Sequence, residues 1–159
     1  MTTTANLHAI AIDHGTAVAE RLQHPLRDAV ALSLVGKQAH WVLRGGSFLG
    51  VHRLLDELVG QWREAGDAIA ERIAALGVVP HGQATDAARS DLAPLPERFL
   101  EVDEAVREVV LRIDVLIASL RTAQSHLGEL DPVSEDLVVG TLGTIEQGRW
   151  LLVSQLPGS

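Results

Sequence analysis

His40, His52, Asp56, Asp67 and Glu71 place two imidazoles and three carboxylates within one short stretch of the chain. Imidazole nitrogen mixed with carboxylate oxygen suits Fe(II), Mn(II) or Zn(II) better than soft metals, and carboxylates also tolerate ferric iron. The spacing follows a helix. His52 and Asp56 are four residues apart, as are Asp67 and Glu71, so each pair stands on one helix face, one turn apart. The two pairs share a stripe about three turns long. Asp56 and Asp67 are nevertheless separated by about 16 Å along the axis, at about 1.5 Å per residue. One metal cannot be reached by both pairs of a single chain.

A second copy resolves the conflict. In two antiparallel helices related by a two-fold axis between Gln61 and Trp62, His52 faces Glu71 and Asp56 faces Asp67. The self-complementary dimer then carries two identical sites. Trp62, beside that axis, is expected as an interface anchor. Gly45-Gly46 predicts a helix–helix turn. His40 and His52 come level across it and can point at one place. Each site is thus two imidazoles and an aspartate from one subunit with two carboxylates from its partner.

The elements needed to position these groups are helices. Apolar residues recur at helical spacing, and no convincing strand is present. The first helix is expected from Asp13 or Gly15 to Leu43, with Pro25 as a start or a bend. The second runs from about Ser47 to Leu76 and ends at Gly77. A long connection follows, with room for a short helix over Asp86–Asp91. The third helix runs from about Glu97 to His126. The fourth runs from Asp131 to about Gln155, signalled by a capping Asp131, Pro132 at the first position and Glu135 in the first turn. Two hairpins joined by a long crossover predict an all-α four-helix bundle of the ferritin-like kind.

Composition narrows the function. At 159 residues the chain forms one domain, expected over 15–155 with tails at 1–14 and 156–159. Cysteine is absent, which excludes disulfides and cysteine zinc sites. Tyrosine is absent too and Met1 is the only methionine, which suits contact with peroxide but follows equally from genomic bias. No secretory signal or membrane span is expected, and cytoplasmic residence is the default, with nucleoid association left open. The net charge is −8 and Lys37 is the single lysine, so DNA binding through phosphate neutralisation is expected to be weak or absent. No Glu-x-x-His occurs, which argues against a di-iron site inside one bundle.

The pattern H-W-x10-H-x3-D-x10-D-x3-E, here His40-Trp41, His52, Asp56, Asp67 and Glu71, resembles the ferroxidase motif of Dps, the bacterial mini-ferritins. Gly45, Phe48, the run through Arg72 to Leu76-Gly77, and Ile145-Glu146-x3-Trp150 extend the resemblance from about Leu26 to Leu152. It implies a hollow homododecamer built from two-fold dimers, with intersubunit sites that oxidise Fe(II), preferring hydrogen peroxide over oxygen, and storage of ferric mineral. Zn(II) and Mn(II) are possible substitutes for iron. The resemblance implies that Trp41 quenches stray radicals, core packing being the alternative. It implies that Asp131, Glu135 and Asp136 line an acidic iron-entry pore, capping and solubility being their alternative. His8, Asp13 and His14 could form an N-terminal metal site, or simply a solvated tail. The competing function is a DNA-compacting nucleoid protein with a minor metal role.

Overall fold

The computed structural model describes residues 9, 10 and 12–158. Four long helices, α1 (Gly15–Val42), α2 (Phe48–Ala75), α4 (Val102–Leu127) and α5 (Pro132–Val153), form the bundle, with a single-turn α3 (Ala84–Ala87) in the crossover between α2 and α4. Helix α1 packs on α2 and α4, and α5 packs on α2 and α4, which closes a four-sided ring.

Helix α2 shows why the ring forms. Val51, Leu55, Leu58, Val59, Trp62, Gly66, Ile69 and Ile73 are buried at three- and four-residue intervals, a core-facing stripe. Each fully buried Leu or Ile contributes about 1.5–3 kcal/mol relative to exposure. Trp62 belongs to this stripe and is completely buried, so it is a core residue and not the expected interface anchor. Its ring lies against Gly36 of α1, where an added Cβ would stand 2.3 Å from a ring carbon. Glycine is what lets α1 and α2 approach there.

Helix α1 starts at Gly15 and continues through Pro25, with no start there. Proline withholds one amide from the carbonyl of Arg21, a residue on the exposed side. Helix α2 closes as a Schellman motif: Val78 N–H donates to the Ile73 carbonyl, Gly77 N–H donates to the Ala74 carbonyl, and Gly77 takes φ 78°.

Two strands of two residues each were not expected. β1 (Leu43–Arg44) pairs in parallel with β2 (Leu100–Glu101), Leu43 opposite Leu100. Both leucines are buried in the core. This bridge holds 100–101 extended, so α4 begins at Val102 and not near Glu97. The short crossover helix likewise falls at Ala84–Ala87, ahead of the Asp86–Asp91 expected for it, because Gln83 and Asp86 form a reciprocal capping box. Among the described residues, no helix is long and apolar enough to cross a membrane.

Candidate metal centre

The α1–α2 hairpin brings His40, in the last turn of α1, against His52, in the second turn of α2. Their rings stack with centroids 3.6 Å apart and planes 19° from parallel. His40 Nδ1 lies 2.8 Å from the carbonyl of His52, and His52 Nδ1 lies 3.0 Å from the carbonyl of His40. A carbonyl can only accept, so each Nδ1 carries the proton and donates it. In the neutral rings both Nε2 atoms therefore keep their lone pairs. Donation of the other ring nitrogen to a backbone carbonyl is the usual support of a metal-ligating histidine, because it fixes tautomer and ring orientation. His40 is buried, His52 is half-buried, and the Phe48 ring is tilted against His52 at 4.9 Å.

Asp56 follows His52 by one turn and is exposed. It accepts a short charged hydrogen bond from Lys37 of α1. That bond outweighs desolvation, the next largest cause, and with the charges of Lys37, His40 and His52 holds the Asp56 carboxyl below its ordinary range. Reasoning from spacing overlooked Lys37. The available signal was its place three residues before His40, on the same face of α1.

Asp67 and Glu71 lie farther along α2, both exposed. Neither makes a hydrogen bond or ion pair among the described residues. Within one chain, no three His, Asp or Glu side chains among the described residues are placed to hold a metal as they stand. His40, His52 and Asp56 are thus gathered at one end of α2, and Asp67 and Glu71 stand apart.

Trp41 is 61% exposed, which removes core packing as its role within the subunit. The three acids considered for a pore diverge. Asp131 is buried and caps α5, accepting from the amides of Val133 and Ser134. It also accepts from Arg72 Nη2 at 2.6 Å, while Arg72 Nε donates to Ser134 Oγ at 2.9 Å. Burial disfavours the Asp131 carboxylate, but hydrogen bonds from Ser134 and Arg72, with the Arg72 charge, outweigh it and hold the carboxyl below its ordinary range. Arg72 was not foreseen in this role, since 59 residues separate the pair. Glu135 lines one groove with Arg21 and Arg121, and the exposed Asp136 lines another with Gln61 and Glu64. At the N-terminus, His8 lies outside the described residues. Asp13 and His14 are exposed, and His14 is the N-cap of α1.

The sequence matches the ferritin family, described as a ferritin-like domain, over residues 19–157. It is 34% identical to the fine tangled pili major subunit of Haemophilus ducreyi, across 89% of this chain and 76% of that protein. It is 33% identical to the DNA protection during starvation protein of Mycolicibacterium smegmatis, across 87% of this chain and 76% of that one. The fold superposes on Dps from Microbacterium arborescens in its high iron form with a TM-score of 0.86 and 29% identity, covering 97% of this chain and 98% of that one. The chain belongs to the Dps family of ferritin-like proteins, and with that family goes iron binding and storage.

Proposed function

We propose that this protein is a ferroxidase that oxidises Fe(II), with hydrogen peroxide preferred over oxygen, and stores the ferric product inside a hollow homododecamer of two-fold dimers. The observation that carries this reading is the reciprocal clasp of His40 and His52, which frees both Nε2 atoms for metal. His40, His52 and Asp56 of one subunit, with Asp67 and Glu71 of the partner subunit, hold the iron substrate. Glu71 and Asp56 anchor it and Asp67 binds more loosely. Two ferrous ions supply the two electrons that reduce one peroxide to the level of water, so no hydroxyl radical is released. Exposed Trp41, next to a ligand, is placed to give up an electron to a stray oxidant. Zn(II) and Mn(II) occupy the same donors without turnover.

Iron entry falls to Glu135 and Asp136, because Asp131 is committed to its cap and to Arg72. The working location is the cytoplasm. DNA binding is weak or absent, given the charge of −8 and one lysine. DNA compaction is the second reading; the M. smegmatis relative is named for DNA protection during starvation. A gel shift with plasmid at moderate salt separates the two, and tight binding favours the second.

The direct test adds Fe(II) anaerobically, then peroxide, and follows ferric absorbance. His40→Ala/His52→Ala is expected to slow oxidation by more than about 100-fold, on the scale of losing ligands and their orientation. Equal rates in the two proteins refute the site. A monomer's mass on sizing refutes the shared arrangement.

A further inference from the structure

A second cluster of histidine and carboxylate side chains lies away from the clasp, where α1 meets the crossover. Asp28 of α1 is completely buried. Its Oδ1 accepts a hydrogen bond from Ser90 Oγ at 2.8 Å. Its Oδ2 is buried and accepts none. A buried carboxylate oxygen without a donor is costly and calls for a hydrogen-bond donor or a cation. His24, one turn earlier on the same face, holds Nε2 3.5 Å from this oxygen, and the same Nε2 lies 3.4 Å from Asp91 Oδ2.

These distances are long for charged hydrogen bonds. They match a different geometry. Ligands about 2.1 Å from a tetrahedral zinc stand about 3.4 Å from one another. We infer that His24, Asp28 and Asp91 form a second divalent-cation site, for Zn(II) first, which pins the crossover to α1. Two edges of the tetrahedron are present, both from His24 Nε2. The three side chains do not enclose a metal as they stand; the third edge closes when Asp91, whose side chain is 77% exposed, turns toward Asp28. Asp28 is the fixed ligand, held by Ser90. The His24 side chain is 44% exposed, which gives the metal a path in and leaves the fourth position to water. One nitrogen with two carboxylate oxygens suits zinc and excludes the soft metals. The site is independent of the ferroxidase reading and shares no residue with it.

The test titrates Zn(II) into the assembled His40→Ala/His52→Ala protein by calorimetry, so that the clasp does not compete. One zinc per subunit is expected. Adding His24→Ala is expected to weaken that binding by at least about tenfold, and the exposed Asp91→Asn to weaken it as well. Zinc should raise the melting temperature of the double variant and leave that of the His24 triple variant unmoved. In zinc-soaked crystals of the unaltered protein, anomalous scattering is expected between His24 and Asp28. Absence of zinc from the double variant, or binding indifferent to His24→Ala, overturns the inference whatever the ferroxidase assay gives.

Discussion

The two halves of α2 carry the same kind of pair, His52–Asp56 and Asp67–Glu71, at the same four-residue spacing, and meet opposite fates. In the first half the neighbouring α1 supplies partners: His40 clasps His52 and Lys37 pairs with Asp56. In the second half the two carboxylates face solvent with no partner among the described residues. The helix is uniform, so the difference lies in what packs beside it. Where α1 turns into α2 at Gly45-Gly46, the chain finishes the nitrogen-bearing half of a site. Three turns later the proposed oxygen-bearing half, Asp67 and Glu71, stands exposed on the same helix. On the proposed reading, the ten residues between Asp56 and Asp67 make dimerisation a condition of the chemistry.

The sharpest way to break this comparison is to disable each half in a different chain. His40→Ala/His52→Ala and Asp67→Ala/Glu71→Ala are each expected to be inactive. Dissociated, mixed and reassembled, they should recover about a quarter of normal activity, because half of randomly formed two-fold dimers are mixed and each of those has one whole site. Stopped-flow ferric absorbance reads this directly. No recovery in mixtures shown by mass spectrometry to contain mixed dimers would mean that the halves are not shared.

A smaller effect is expected from the support of the carboxylate half. Glu71 is followed by Arg72, which ties the end of α2 to the start of α5 through Asp131 and Ser134. Asp131→Ala removes a helix cap and strands a mostly buried arginine, costing about 2–4 kcal/mol in chemical denaturation. The fold lowers the Asp131 carboxyl below 3.8, so its contribution is complete above that value and drains away as pH falls through and below it. Asp131→Asn should therefore lose part of the acid sensitivity of the unaltered protein. A cost below about 0.5 kcal/mol for Asp131→Ala would contradict the role given to this pair. On the histidine half, Gly36→Ala should cost about 1–3 kcal/mol by overpacking against Trp62, one turn before His40. A neutral result in thermal melts would show that α1 and α2 can part there without strain.

The sequence made the helices and the donors legible because both depend on local period. Apolar spacing marks a helix face, and the i, i+4 pairs mark the ligands. What it concealed depends on residues far apart in the chain. The β1–β2 bridge joins Leu43 to Leu100 through two-residue strands too short to leave a pattern. Asp131 announced itself as a cap, yet its burial against Arg72 is a tertiary fact. Trp62 is the instructive error. Its place beside the inferred axis suggested an anchor, while its four-residue step from Leu58 already put it on the core stripe. Periodicity deserved the greater weight, since a stripe of eight buried residues constrains one side chain more tightly than an inferred axis does.

The smallest predicted effect tests the finish of the histidine half itself. If Lys37 is what distinguishes Asp56 from Asp67 and Glu71, Lys37→Met should return the Asp56 carboxyl upward toward its ordinary value, because the largest cause of its lowering is removed. The charges of His40 and His52 are lesser causes and cannot replace that bond. Carboxyl NMR titration of metal-free protein reads the shift. Because Asp56 is exposed, its folding stability should barely change. An Asp56 titration unmoved by Lys37→Met would mean that the two halves of α2 differ only in their histidines.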